Sequence, residues 1–108
     1  MTESEFNKLV DDTLLRIEQA IDACGVDIDY ETAAGILELE FENGTRIIIN
    51  RQGATQEIWV AAKAGGFHFA WKDDAWCNTR DGAELFAMLS VLASGQANEE
   101  VVLPACRT

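Results

Sequence analysis

Hydrophobic residues recur along this chain with two different periods, and the changes of period mark out its elements. Thr2 followed three residues later by Glu5 forms a capping box, and Phe6, Val10, Leu14, Ile17 and Ile21 then repeat at three and four residues, which predicts an amphipathic helix to about Ala23. Asp27, Asp29 and Glu31 alternate with Ile28 and Tyr30, a strand period that places the three acids on one face. Leu37, Leu39 and Phe41 alternate with Glu38, Glu40 and Glu42 as far as Asn43-Gly44, a strong hairpin signal, and Arg46 to Asn50 return as a strand. Ile58 and Val60 mark a further strand, Gly65-Gly66 a turn, Phe67 to Trp71 a strand, and Trp76-Cys77 a short last one. Asp81 with Glu84 is expected to cap a second helix carrying Leu85, Leu89 and Leu92, with Gly95 at its end. Val101 to Leu103 forms an apolar tail expected to pack back, although the segment 96–108 is otherwise expected to be loose.

Helix, antiparallel strands, helix is an α+β order. A sheet made this way covers its apolar face with both helices, so the expected architecture is a two-layer sandwich, N- and C-terminal helices packed on one face of an antiparallel sheet, with the other face open to water. With 108 residues, 48% of them hydrophobic, the chain suits one compact domain, 1–108. It carries no internal repeat, low-complexity segment or linker.

Charge changes the picture once it is located. Residues 1–42 carry twelve acids against Lys8 and Arg16, and residues 43–108 carry seven against six, so nearly all of the net charge of −11 lies in the first part. Such a field repels nucleic-acid phosphates and anionic lipid, and it attracts metal cations or a basic protein surface within about a Debye length. The plainer explanation is an acidic face kept for solubility. No apolar run approaches the roughly 20 residues of a membrane span, and the N-terminus lacks the pattern of a secretory signal, so a cytoplasmic location is expected. Cys24, Cys77 and Cys106 are odd in number and in no CxxC pair, which argues against a disulfide framework or a tetrahedral zinc site. Cys24 continues the apolar stripe of Ile17 and Ile21 and is expected to be a packed thiol.

On a helical wheel Asp11, Glu18 and Asp22 share a narrow arc. Asp27, Asp29 and Glu31 follow just beyond the helix, and they merge with that arc into one ridge if the first strand borders it. Asp11 and Glu18 lie roughly 10 Å apart along the axis and alternate strand residues roughly 7 Å apart, so these carboxylates do not converge on one ion. The spacing supports open, weak binding of several hard or borderline cations such as iron, with water completing each shell. Catalysis fares worse. His68, the only histidine, sits between Phe67 and Phe69, no nucleophile has an adjacent base, and GxGxxG, GxSxG, HExxH and P-loop patterns are all missing. A binding module, not an enzyme, is expected.

Trp59 supplies a second candidate surface. If Ile58 and Val60 face the helices, alternation turns Trp59 outward with Glu57 and Ala61, near Asn50, Arg51 and Gln56, a mixed polar and aromatic set suited to a protein contact. A tryptophan half-covered by the next strand and kept for sheet stability fits the pattern equally well.

The strings FENGTRIIINRQ from Phe41 to Gln52 and EIWVAAKAGGFHF from Glu57 to Phe69, with SEF opening an acidic N-terminal helix at Ser4 to Phe6, resemble the frataxin family, specifically its bacterial CyaY branch. The likeness runs from about Ser4 to Leu92. It implies the same sandwich fold and a regulatory role in iron-sulfur cluster assembly, with iron weakly bound at the surface. By that resemblance Asp11, Glu18, Asp22, Asp27, Asp29 and Glu31 form the iron surface. Asp11, Glu18 and Asp22 dock on the basic groove of a cysteine desulfurase. Asn50, Arg51, Gln52, Gln56 and Trp59 contact the desulfurase and the iron-sulfur scaffold protein. A monomer without iron is implied, with neither nucleic acid nor membrane as partner. The chain departs from its relatives at Gln19-Ala20 and Ala23-Cys24, which interrupt the run of acids late in the helix and imply a lower iron capacity. The alternatives are an iron-storing or iron-oxidising protein, which needs convergent carboxylates, and an acidic nucleic-acid mimic, which leaves Trp59 unexplained.

Overall fold

The computed structural model describes residues 1–104; Cys106 lies outside the described residues. Helix α1 spans Glu3–Ala23, strands β1 to β6 span Ile28–Ala33, Ile36–Phe41, Arg46–Gln52, Glu57–Ala62, Gly65–Lys72 and Ala75–Asn78, and helix α2 spans Leu85–Ala97. The strands form one antiparallel sheet in sequence order. Each neighbour in the sheet is therefore a neighbour in sequence, and short turns suffice to connect them.

The expected capping box starts α1: the Thr2 hydroxyl accepts from the Glu5 backbone N–H, and the Glu5 carboxylate accepts from the Thr2 N–H. From there Phe6, Val10, Leu14, Ile17 and Ile21 are buried against Leu37, Leu39, Ile47, Ile49, Ile58, Val60 and Phe69 of the sheet and Leu85, Leu89 and Leu92 of α2. One core between the helices and one sheet face holds these apolar side chains, and the opposite sheet face is open. Cys24 packs against this core as a partly buried thiol.

Four boundaries differ from the sequence pattern. The β4–β5 turn is Lys63-Ala64, and Gly65-Gly66 belong to β5, where Gly65 takes φ +142°. Helix α2 starts at Leu85 because Glu84 is the cap, accepting from the Phe86 and Ala87 N–H groups, while Asp81 accepts from Ala83 in a turn of its own. That helix runs through Gly95 to Ala97 and stops at Asn98, whose left-handed φ of 56° reverses the chain. Within the described residues, the segment from Gln96 to residue 104 is held to the core. Gln96 is buried, its carboxamide bonds Lys63, Thr45 and Arg46, and Val101 and Leu103 are buried through bonds to Ser94 and Ser90.

Candidate functional site

Strand β1 is the sheet edge that borders α1, and its inward-facing polar residues meet the acidic arc. The Tyr30 hydroxyl donates to the Asp22 carboxylate at 2.9 Å, and the Thr32 hydroxyl donates to Glu18. Losing the Tyr30 proton would break that bond and set a phenolate beside Asp22 and Glu18, so the Tyr30 pKa is raised. The contact expected between strand and helix therefore exists, made by Tyr30 and Thr32.

The strand acids do not join it. Ile28 is buried on the helix side, and alternation sends Asp29 and Glu31 to the open face, opposite Glu40 and Glu38 in the β1–β2 register. There Arg46 of β3 lies 3.4 Å from Glu40 and 4.0 Å from Glu38. Asp27 instead faces Glu42, whose pKa is raised first by the hydrogen bond with Asp27 and further by the charges of Asp27 and Glu99. The expected continuous ridge of six acids is thus three separate groups: Asp11, Glu18 and Asp22 on α1, Asp29 and Glu31 on the open face, and Asp27 at the end of the sandwich. Among the described residues, no three histidine, cysteine or carboxylate side chains converge where a metal ion could sit.

Arg51 falls on the helix side with Ile47 and Ile49, not on the open face where a contact to a partner was expected. Its guanidinium donates to Asn7 at 3.1 Å and pairs with Asp11. Gln56 also turns away, bonding the Met1 carbonyl at 2.9 Å from the β3–β4 turn. Asn50, Gln52 and Trp59 do share the open face. Ile36, Asn50, Trp59 and His68 form one cross-strand row, and Ile36 and Ile48 expose apolar surface beside it. The Trp59 indole stacks on His68 and donates its N–H to Glu57 at 2.9 Å, so it is half-covered and held in a fixed orientation. His68 belongs to this site, and its parity with Trp59 across β4 and β5 was the available signal.

These features define a class: an α+β sandwich with an acidic first helix and an open sheet face that carries a central tryptophan. The frataxin-like domain model matches residues 1–99. The iron-sulfur cluster assembly protein CyaY of Dechloromonas aromatica is 53% identical over 104 residues, which is 95% of this chain and 99% of that protein. The CyaY of Vibrio cholerae is 48% identical over 101 residues, covering 94% of this chain and 97% of its own. Among solved structures, frataxin from Psychromonas ingrahamii superposes with a TM-score of 0.90 at 36% identity, covering 96% of this chain and 99% of its own. The chain belongs to the frataxin family, in its bacterial CyaY branch.

Proposed function

We propose that this protein is a cytoplasmic, iron-responsive regulator of iron-sulfur cluster assembly that docks on the cysteine desulfurase and scaffold protein through α1 and the open sheet face. The relatives' role in cluster assembly supports the pathway. The observation that carries the docking reading is that Glu18, partly buried, and Asp22, exposed, project from one arc of α1, each oriented by a hydroxyl that donates to it. Such a surface draws a basic partner quickly and with strong salt dependence, while the half-buried Trp59 with Asn50 and Gln52 offers a centre that can be desolvated. Iron binds weakly in this scheme, through one or two carboxylates each with water completing the shell.

The test is binding to the cognate desulfurase at low and high salt, for the wild type, for Glu18→Lys/Asp22→Lys and for Trp59→Ala. Tight binding at low salt that weakens with salt and is lost in the double reversal supports the reading. Equal binding by wild type and double reversal rejects α1 as the docking surface, and iron-dependent assembly into large particles with oxygen uptake would favour the storage or oxidation alternative.

A further inference from the structure

Where β6 ends, Gly66, Phe67, His68, Asn78, Thr79 and Arg80 line a cavity of about 60 Å³. The chain carries 19 acidic residues, and none of them is in this lining. Backbone bonds fix the turn: the Thr79 N–H donates to the His68 carbonyl at 2.9 Å, and the Asn78 N–H to the Ala83 carbonyl at 2.8 Å. Asn78 is only 6% exposed, and its side-chain oxygen accepts the Arg80 backbone N–H at 2.9 Å. A backbone N–H can only donate, so this bond settles which end of the carboxamide is oxygen. The other end, Nδ2, is left as a donor with no acceptor among the described residues, and a buried donor without a partner is costly. Beside it the Thr79 hydroxyl and the Arg80 guanidinium are exposed and likewise make no hydrogen bond or ion pair with the described residues. The acids closest to this turn are engaged elsewhere: Asp81 accepts the Ala83 N–H, and Glu57 accepts from the Trp59 indole and lies 3.9 Å from His68 Nδ1.

A carboxamide N–H, a hydroxyl and a guanidinium around a cavity without acids form a donor set that repels cations and suits a planar carboxylate, whose two oxygens accept several such bonds at once. The volume admits a carboxylate group and little more, so the rest of the ligand must stay outside. His68, which forms part of the lining, stacks on Trp59, so a protein lying on the open face brings its own acids to this turn. We propose that the turn after β6 is a carboxylate-binding subsite, in which Asn78 Nδ2, the Thr79 hydroxyl and the Arg80 guanidinium receive an acidic side chain of a protein partner. The partner assignment rests on the open face being a contact surface, and it is independent of the role proposed for α1.

Acetate is the first probe, exchanged for chloride at constant ionic strength in the ¹⁵N-labelled full chain while the Asn78 side-chain NH₂ and the Thr79 and Arg80 amides are followed. Saturating shifts confined to this turn are expected. Arg80→Gln should weaken the apparent affinity by at least about fivefold, the loss of a charge-assisted bond. Asn78→Asp keeps the acceptor for the Arg80 N–H but replaces the Nδ2 donor with an anionic oxygen, and it should abolish saturation. The Arg80 side chain is exposed and makes no bond in the turn, so Arg80→Gln decides the matter even if Asn78→Asp does not fold. The second probe is N-acetylglutamate amide, which should saturate the same resonances, whereas N-acetylglutamine amide should not. Shifts that rise without saturating, or that are unchanged in Arg80→Gln, overturn the subsite. Saturation by acetate but not by the glutamate amide overturns the assignment to a protein side chain. These titrations contain no partner protein, so failure of the docking reading and failure of the subsite are separate results.

Discussion

The Trp59 indole and the His68 imidazole lie 4.3 Å apart and only 7° from parallel, as paired residues of β4 and β5. One face of the indole is therefore already occupied, and the Glu57 carboxylate fixes its N–H edge. If the open face is a contact centre, Trp59→Ala should weaken partner binding by about 30-fold, a typical aromatic anchor. His68→Ala should weaken it less, by roughly two- to tenfold, because it removes only the stacking that orients the indole. Isothermal titration against the desulfurase complex measures both, with circular dichroism confirming that each variant is folded. An effect of His68→Ala equal to or larger than that of Trp59→Ala would contradict this ordering.

Tyr30 is the single tyrosine of the chain, so ultraviolet absorbance near the tyrosinate band reads one group. Its hydrogen bond to Asp22 raises the pKa above the usual value of 10.0. The folded protein then holds this proton more tightly than the unfolded chain, and the associated stability is present at lower pH and lost as pH rises through the raised value. Asp22→Asn should bring the titration midpoint back toward the usual tyrosine range. A midpoint that does not move would show that the Tyr30–Asp22 contact is not maintained in solution.

Much of the fold was legible because its signals were local. Thr2 and Glu5 cap each other within one turn, and Leu37, Leu39 and Phe41 alternate up to Asn43-Gly44. The helix boundaries that differed each involved two residues able to do one job. Both Asp81 and Glu84 can cap a helix, and Glu84, next to the apolar run, took the role. The site was harder to read because it depends on which face of a strand abuts the helix. Arg51 shares the parity of Ile47 and Ile49, and Asp29 the parity opposite Ile28, so alternation held both answers. What alternation does not contain is the partner across the gap: that Arg51 would find Asp11, 40 residues earlier, is a tertiary fact.

Two exposed carboxylates should respond to acid with opposite signs. Glu42 has a raised pKa, caused first by its hydrogen bond with Asp27, so its protonation favours the folded state, and the contribution declines as pH rises through the folded value. At neutral pH the charges of Asp27, Glu42 and Glu99 repel one another, and Glu42→Gln should raise Tm there. That gain should shrink as pH falls into the carboxylate range. Glu5 has a lowered pKa, caused first by the Thr2 backbone N–H and then by the Thr2 side chain, so its contribution is present at neutral pH and lost in acid. Glu5→Gln should therefore lower Tm at neutral pH, with the difference closing toward low pH. Thermal melts across the acidic range follow both variants, and differences that stay constant with pH would contradict the two assignments.

Gln96 joins helix α2 to the far ends of β3 and β4. Its side-chain oxygen accepts from the Lys63 N–H at 3.1 Å, its side-chain nitrogen donates to the Thr45 hydroxyl and the Arg46 carbonyl, and its own carbonyl accepts from Asn43 at 2.7 Å. With only 6% of the residue exposed, truncation leaves the Lys63 N–H and the Arg46 carbonyl without the partners they have in the native fold. Gln96→Ala should cost about 2–3 kcal/mol, lowering Tm by roughly 8–15 °C. Gln19→Ala, on the surface of α1, is the matched control and should stay within about 0.5 kcal/mol of wild type. Gln96→Glu adds a sharper criterion: the acceptor to Lys63 survives, but a carboxylate cannot donate to Thr45 and Arg46 and would sit desolvated beside a carbonyl oxygen. It should therefore destabilise at least as much as alanine at neutral pH and recover part of the loss in acid, where the protonated form donates once. Urea unfolding at two pH values measures this difference, and a Gln96→Glu protein as stable as wild type at neutral pH would mean that the network at the end of α2 is not what holds this segment in place.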